Sequence, residues 1–366
     1  MMQRHLSGIM ITRFRGYKVF SFNGFRPITV IGGKNNCGKS SLLEAVCLLA
    51  NRASGMTPGK LSWNRGEKMS AQTFSSLFYG GRNEGEIIVH GIFSDQTTRG
   101  VDFECTHRSA VAFGLEDPPH GTGDVNAELP PTYVQQYYTS EGEKTVRGAM
   151  MIAFVNNEYR CYPLDPKSEK SEAVKVDGLS TDDDWRCAYY ESQRRQNSTA
   201  FFSELFKAGR EGTLVSALKN IDSRIESVAF DGERLLVDVG EGAAKLRLPL
   251  GVMGDGVVKA AEILALMAIC PNGSVLCVDE IENGLHHTVM ESFWSALVSM
   301  ARERNVQIIA TTHNLEMMEA LTGDVVGSGE DFAFVNLTRS HSDEVEAIGY
   351  TFEEYSAHLE SGVEMR

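Results

Sequence analysis

The sequence has no C-x-x-C pair, and its seven cysteines are scattered over positions 37, 47, 105, 161, 187, 270 and 277. That spacing excludes the common zinc frameworks, and an odd number of cysteines does not indicate a disulfide framework. Several cysteines lie inside apolar runs and are expected to be buried as small hydrophobic residues. Because no signal peptide is recognisable at the N-terminus, we expect a reducing, cytoplasmic location.

Long apolar runs, internal repeats and low-complexity tracts are also missing. The most apolar run, around 261–270, contains Glu262 and is too short to span a bilayer, so no membrane association is predicted. No heptad pattern continues far enough for a coiled coil. With 366 residues, 42% hydrophobic and 23% charged, the chain has the composition of a globular protein of two to three domains.

The chain has no overall excess of positive charge, since its net charge is −14. This balance does not indicate a nucleic-acid-binding protein as a whole. Five basic residues nevertheless cluster near the start, namely Arg4, Arg13, Arg15, Lys18 and Arg26. They are either a local nucleic-acid patch or simply the solvated face of a strand.

Hydrophobic patterning predicts an α/β organisation. We expect strands at 9–15 and 28–31, a buried helix over 40–50, and short antiparallel strands at 86–93, 101–105 and 149–155. A Gly- and Pro-rich stretch at 114–132 predicts an irregular insertion. Residues 190–222 are predicted to be helical and split near Gly209 and Gly212, followed by a strand pair at 234–239 and 244–248. From 251 to 338, helices and strands alternate as in a parallel sheet covered by helices.

The segment Gly33–Ser40 fits the phosphate-binding pattern G-x-x-x-x-G-K-[ST] in full. Glycines allow backbone N–H groups to turn inward, and the helix that follows directs its positive end to the same point. Lys39 is then expected to reach the β- and γ-phosphates, and the Ser40 hydroxyl to bind Mg²⁺. A tight turn that merely contains a lysine is the alternative.

Two carboxylates end the next buried strand, in the sequence SVLCVDE at 274–280. Ligands of open α/β sheets bind at such strand ends. We expect Asp279 to hold Mg²⁺, and Glu280 to polarise the water that attacks the γ-phosphate. A surface acidic turn is the alternative. A second buried strand, VQIIATTHN at 306–314, ends in His313, which is predicted either to polarise the γ-phosphate or to serve as a packing or capping residue.

A second anion-binding helix end is predicted at LPLGVMGDG, 248–256, where Gly254, Asp255 and Gly256 open an apolar helix. One chain already has a complete phosphate loop, so this second helix end requires a use of its own. The simplest arrangement is a head-to-tail pair of subunits, in which the Met253–Gly256 turn of each covers the nucleotide of the other.

Four motifs occur in this order: GGKNNCGKSS, PLGVMGDG, VLCVDEIENGLHH and IIATTHN. Together they resemble the ATP-binding-cassette (ABC) type heads of the RecF, SMC and overcoming-lysogenisation-defect (OLD) ATPases. The resemblance is closer to the bacterial AAA15 group, which includes RloA/AriA-like and PtuA-like defence ATPases. The opening ITRFRGYKVFSF and the closing HLESGVEMR also fit this group. The resemblance covers residues 8–50 and 216–366 well and 55–190 only loosely.

The resemblance implies a role for each matching residue. The Walker A motif is formed by Gly33, Asn35, Asn36, Gly38, Lys39, Ser40 and Ser41. Met253, Gly254, Asp255 and Gly256 form the signature that acts across a dimer, Asp279 is the Walker B metal ligand and Glu280 the catalytic base. Residues 282–287 stand at the D-loop of the dimer seam, and His313 is the switch histidine. ATP and Mg²⁺ are the implied cofactors.

The sequence also departs from the resembled families. The signature has GDG where transporters have SGG, and His287 replaces a common proline. Only Gln72 is a candidate for the Q-loop. The absence of a long coiled coil argues against an SMC protein, and no nuclease domain follows as in full OLD proteins.

The predicted fold is an α/β P-loop NTPase, an ABC/RecF-like ATPase head with a mixed parallel sheet, an antiparallel β subdomain and a helical insertion. Its predicted parts are an ATPase lobe at 1–180 (with the irregular insertion extended to 114–148), a helical insertion at 185–227, and a second lobe at 228–366. We expect a Mg²⁺-dependent ATPase that forms a homodimer or higher homo-oligomer.

Three functions remain open. In the first, dimerisation controls a separate effector protein, a nuclease or toxin, in anti-phage defence. In the second, the dimer binds DNA in repair or recombination, as RecF and SMC proteins do. The third is a nucleotide-gated scaffold with negligible turnover. The acidic net charge disfavours the second, and Glu280 disfavours the third.

Overall fold

The computed structural model describes residues 4–50, 76–81, 86–105, 137–139, 142–144, 149–155, 158–164, 185–191, 198–240, 245–327, 329–340 and 344–361. The predicted irregular segment 114–132 and the Q-loop candidate Gln72 lie outside these residues. No helix in the described ranges is long and apolar enough to cross a membrane.

The strands are, in chain order, β1 (Leu6–Phe14), β2 (Tyr17–Asn23), β3 (Ile28–Gly33), β4 (Glu86–Phe93), β5 (Thr98–Cys105), β6 (Tyr137–Thr139), β7 (Gly142–Lys144), β8 (Ala149–Val155), β9 (Glu158–Leu164), β10 (Cys187–Glu191), β11 (Ile225–Phe230), β12 (Leu235–Val239), β13 (Leu246–Pro249), β14 (Val275–Asp279), β15 (Gln307–Thr311), β16 (Phe332–Arg339) and β17 (Val345–Tyr350). The helices are α1 (Lys39–Ala50), α2 (Ser198–Lys207), α3 (Glu211–Ile221), α4 (Asp255–Ile269), α5 (His287–Arg304), α6 (Leu315–Glu319), α7 (Gly323–Val326) and α8 (Phe352–Ser361).

A parallel sheet forms the centre of the fold, with strand order β10-β14-β15-β3-β16-β17. All of its neighbouring pairs are parallel except β16 and β17. Its middle strands are apolar on both faces because both faces are covered. On β3, Ile28 and Val30 face one hydrophobic core, whereas Ile31 faces the other.

An antiparallel sheet, ordered β2-β1-β4-β5-β8-β9, packs over one face of the parallel sheet. Helix α1 contacts both sheets, and every residue from Leu42 to Ala50 is buried. This position explains why α1 is apolar all round rather than amphipathic. The approach is close: a Cβ added at Gly91 on β4 would lie 2.3 Å from Leu49 of α1.

The other face of the parallel sheet is covered by helices, mainly α4 and α5, with α2 and α3 packed against them. A small antiparallel sheet, β11-β12-β13, leads into α4. Thus the chain enters α4 from the edge strand β13 through a short turn, Leu250–Val252, that precedes Gly254.

The predicted α/β head with mixed and antiparallel sheets is confirmed, as are the helix after the phosphate loop, the antiparallel strands and the split of the helical run near Gly209. The helical prediction for 190–222 is wrong at its start, because β10 continues to Glu191 and pairs with β14, the strand that ends in Asp279. The segment predicted as a helical insertion, 185–227, therefore contributes the edge strand of the central sheet. The domain boundaries stay predictions.

Candidate functional site

The phosphate loop, which we define as Gly33–Ser40, connects β3 to α1. Its shape depends on left-handed backbone angles: φ is 132° at Gly33, 64° at Asn36 and 103° at Gly38. Glycine adopts such angles at no steric cost, and asparagine tolerates the value at position 36. Only glycine fits at position 33 for a further reason, since a Cβ there would lie 2.3 Å from the Leu337 carbonyl oxygen. Asn35 and Asn36 are exposed on the loop.

Lys39 begins α1, and its side chain turns back along the loop. Its Nζ donates to the carbonyl oxygens of Gly33, at 2.7 Å, and of Lys34, at 3.0 Å. The ammonium group is therefore held beside the backbone that the sequence predicts to bind phosphates. Ser40 and Ser41 follow in the first turn of α1 and are partly exposed. The helix N-terminus adds a partial positive charge at the same place.

The β1–β2 hairpin supports the phosphate loop from behind. The Tyr17 hydroxyl donates to the carbonyl oxygen of Gly38 at 2.9 Å. The guanidinium of Arg15 forms an ion pair with Glu44, Nε to Oε2 at 3.1 Å, with side chains only 6% and 2% exposed. Glu44 lies one turn beyond Ser40 on α1. Sequence reasoning missed both contacts, although the FRGY segment that supplies them was noted.

Asp279 lies at the centre of the site, at the end of β14. Its Oδ1 accepts a hydrogen bond of 2.6 Å from the Thr311 hydroxyl, and the Ser40 hydroxyl also bonds to it. Burial raises the pKa of the Asp279 carboxyl, these two hydrogen bonds oppose the rise, and the negative charges of Glu280 and Glu44 add to it. An unfavourable buried carboxylate beside a serine hydroxyl is a suitable environment for a divalent cation.

The donor set fits Mg²⁺ rather than a softer metal. Ser40 and Asp279 offer oxygen atoms only, and Mg²⁺ is usually bound through one or two protein oxygens together with substrate phosphates and water. Among the described residues, no cluster of three or more His, Cys, Asp or Glu suited to a metal occurs. When bound, the cation would neutralise the charge of the phosphates.

Glu280 follows directly and has a left-handed backbone, with φ of 50°. Its N–H donates to the Thr311 hydroxyl at 2.8 Å, which fixes this unusual conformation. The reversal of the chain at this point separates the side chains of two consecutive carboxylates. Asp279 is buried while Glu280 is partly exposed, so the two can serve different purposes.

His313 lies after β15, at the same edge of the sheet. Its Nδ1 is 2.8 Å from Glu282 Oε1, and its side chain is 51% exposed. Because β3, β14 and β15 are parallel neighbours, Gly33, Asp279 and Thr311 all come to one edge. The structure thus brings together the predicted Walker A, Walker B and histidine segments.

The turn Met253–Gly256 lies at the N-terminus of α4. Gly254, with φ of 94°, precedes the helix, and no side chain caps the helix at this point. A Cβ added at Gly256 would lie 3.2 Å from the Gly284 carbonyl oxygen. The predicted signature therefore packs on the predicted D-loop of its own chain, and Gly254 and Asp255 are exposed.

Comparisons with known proteins give two family models, each of which matches a separate stretch of this chain. A family model described as "AAA domain" matches residues 8–112. Another, described as "AAA domain, putative AbiEii toxin, Type IV TA system", matches residues 158–319. The first range contains the phosphate loop, and the second contains Asp279, Glu280 and His313.

One curated relative and two solved structures extend the likeness over most of the chain. A Helicobacter pylori (strain ATCC 700392 / 26695) protein named ATP/GTP phosphatase is 24% identical over 355 residues, 90% of each chain. An Smc head domain of Pyrococcus furiosus, bound to the C-terminal domain of ScpA, has a TM-score of 0.52 at 10% identity and covers 99% of this chain and 100% of its own. An SmcHead bound to the C-winged helix domain of ScpA has a TM-score of 0.50 at 11% identity, and the match covers 96% of this chain and 99% of that structure's chain.

The solved structures establish the fold alone, because their identities are low. The two family models match separate stretches of the chain, one that contains the phosphate loop and one that contains the strand end at Asp279. The predicted enzyme class is confirmed, whereas the AAA15 subgroup stays a prediction. The chain is an ATP hydrolase with an α/β P-loop fold, similar in two separate stretches to AAA domain models and in its fold to Smc head domains.

Proposed function

We propose that this protein is a Mg²⁺-dependent ATPase whose two nucleotide sites are completed across a head-to-tail homodimer, and that ATP-driven dimerisation controls a separate effector protein, a nuclease or toxin, in bacterial anti-phage defence. In this scheme Lys39 and the loop amides bind the phosphates, Ser40 and Asp279 hold Mg²⁺, and Glu280 is the base. Higher homo-oligomers built on the same contact are compatible with it. The expected location is the cytoplasm.

The observation that carries the shared site is the exposed helix end at Gly254. The first N–H groups of α4 have no side-chain cap, and a Cβ added at Gly254 meets nothing within 4 Å. A neighbouring copy can therefore bring a triphosphate against these N–H groups without displacing any side chain.

Effector control is favoured over DNA binding because part of the N-terminal basic cluster is paired with carboxylates of the same chain. Arg15 is buried against Glu44, and Arg4 forms an ion pair with Asp95 at 3.2 Å. Of the five basic residues, only Arg13, Lys18 and Arg26 remain exposed, on a chain of net charge −14. Few phosphate contacts are therefore available at this patch. The family description that mentions an AbiEii toxin and a Type IV TA system also supports a toxin-linked role.

The test of dimerisation uses Glu280→Gln, which we expect to bind ATP without hydrolysing it. Light scattering of this variant with saturating ATP and Mg²⁺ should give about twice the 40.3 kDa chain mass. Lys39→Ala is the matched control, and it should stay at the mass of the nucleotide-free protein. If Glu280→Gln binds ATP in calorimetry but its mass does not change, the shared-site proposal is wrong.

The test of effector control is copurification from the native operon with and without Lys39→Ala. We expect a nuclease or toxin to accompany the wild-type protein and its activity to change with ATP. If the protein instead brings duplex DNA, with an affinity that falls steeply with salt, the DNA-repair alternative replaces this proposal.

A further inference from the structure

Glu282 and His313 form a close pair at the nucleotide edge of the sheet. Glu282 Oε1 accepts from the backbone N–H of His313 at 2.9 Å, and it lies 2.8 Å from His313 Nδ1. The carboxylate is almost fully buried, with 6% of its side chain exposed, whereas the imidazole is 51% exposed. A buried acidic group thus holds an exposed ring by one edge.

The carboxylate has a fixed position relative to the phosphate loop. The Ile281 N–H donates to the Thr311 carbonyl at 3.0 Å, so the loop after β14 is tied to the end of β15. The Thr312 N–H donates to the Ile31 carbonyl at 3.0 Å, which ties the His313 segment to the strand that precedes the phosphate loop. These bonds fix the backbone that carries Glu282 and His313, so the orientation of the ring depends on its contact with Glu282.

The chemistry of the pair determines which imidazole nitrogen is available. An ionised carboxylate only accepts hydrogen bonds, so His313 Nδ1 must carry a proton. The neutral ring then has its lone pair on Nε2, which Glu282 leaves free. Both contacts use Oε1, and Oε2 is buried without a hydrogen-bond partner among the described residues. A glutamine could therefore keep both contacts through its amide oxygen.

We propose that Glu282 is the positioning residue for His313, which it fixes in the Nδ1–H tautomer with Nε2 directed to the terminal phosphate of ATP. The proposal rests on the proposed function in one respect, the contact of His313 with that phosphate. Glu282 does not touch nucleotide. An outer carboxylate sets the tautomer and the ring orientation of a metal-binding histidine, and we assign Glu282 the same role for His313.

The test compares Glu282→Gln, which keeps an acceptor at Oε1, with Glu282→Met, which has similar length and no acceptor. In nucleotide-free protein, ¹⁵N NMR of His313 in its neutral form should report Nδ1–H in the wild type and Glu282→Gln. It should report a mixture or Nε2–H in Glu282→Met. Retention of Nδ1–H in Glu282→Met overturns the proposal.

Kinetics provide the second readout. We expect Glu282→Met to lower kcat about 10- to 100-fold, with KM changed less than about threefold, and Glu282→Gln to recover most of kcat. In a His313→Ala background, Glu282→Met should lower kcat much less than in the wild-type background, because only the backbone contact of Glu282 with position 313 is then left to lose. A loss of the same size in both backgrounds indicates a merely structural link between the two loops and overturns the proposal.

These results are distinguishable from failure of the proposed function. The NMR readout needs no nucleotide, and the kinetic comparison needs only the ATPase reaction of wild type and variants. If Glu280→Gln does not dimerise, the shared-site proposal fails while the tautomer result still stands. If only the Glu282 variants behave like wild type, the positioning proposal alone fails.

Discussion

The hydroxyl of Tyr17 and the carbonyl of Gly38 are joined by a 2.9 Å hydrogen bond between the β1–β2 hairpin and the phosphate loop. Tyr17 is 1% exposed, and burial raises the pKa of its hydroxyl far above the ordinary value, so it remains a proton donor at any working pH. A Cβ added at Gly38 would lie 2.8 Å from this hydroxyl. The hairpin therefore contacts the loop directly and leaves no room for a side chain at position 38.

Replacing Tyr17 by Phe should weaken ATP binding. The ring packing is kept, but the Gly38 carbonyl loses its donor, which costs about 1 kcal/mol, or about fivefold in affinity if the loop alone relaxes. Calorimetric titration with ATP measures this. Tyr355→Phe is the matched control, since its hydroxyl bonds the Met318 carbonyl at 2.6 Å in the core. An equal loss of affinity in both variants would mean that Tyr17 acts only through general stability.

The Arg15–Glu44 ion pair should show strong coupling in a double-mutant cycle. Removing either partner leaves a buried charge, so we expect Arg15→Met and Glu44→Met each to cost about 3–5 kcal/mol of unfolding free energy, and the double variant to cost much less than their sum. Denaturant unfolding measures these values. The exposed Arg224, paired with Asp222, is the comparison, and Arg224→Ala should cost far less stability than either buried substitution. Additive losses at Arg15 and Glu44 would contradict this view.

Asp279→Asn should stabilise the nucleotide-free protein at neutral pH. Burial raises the pKa of the Asp279 carboxyl in the folded protein. The contribution of this group to stability is therefore complete below the pKa that it has in the unfolded chain, and it is lost as the pH rises through its pKa in the folded protein. The asparagine avoids the buried charge and can still accept from Thr311, so Tm should rise by about 1–3 °C at pH 7 and change little near pH 4. Calorimetry measures both.

Asp238→Asn provides a control of opposite sign. Arg247 and Ser227 hold the Asp238 pKa well below its usual range, so its charged form stabilises the fold above the unfolded pKa. That variant should lower Tm at neutral pH.

Mg²⁺ with ATP should raise the Tm of wild type more than that of Asp279→Asn, since a ligand stabilises only the state that binds it. Equal shifts would exclude Asp279 from the metal site.

Sequence patterns were sufficient for the parts of the site that are local. Glycine spacing, the lysine and the helix that follows all lie within Gly33–Ala50, and each requirement can be read from residues close in the chain. The edge position of Asp279 and His313 followed from the alternation of strands and helices, because parallel strands end at the same edge.

Contacts between distant segments could not be predicted in the same way. Arg15 and Glu44 are 29 residues apart, and Glu282 and His313 are 31 apart, so each pair depends on how the sheets pack. Strand β10 was missed for a related reason. Its sequence CAYYE has no turn signal separating it from the helical region, and only pairing with β14 makes it a strand.

Complementation between two inactive variants tests the shared site most directly. Lys39→Ala removes phosphate binding, and Gly254→Glu adds a negative charge at the exposed end of α4. In a head-to-tail dimer, a mixture of the two forms heterodimers with one intact site and one doubly defective site. We predict that mixing restores ATPase activity well above that of either variant alone, because only the mixed dimer has an intact site and that site alone can drive pairing. A mixture that remains as inactive as its separate components would contradict the account.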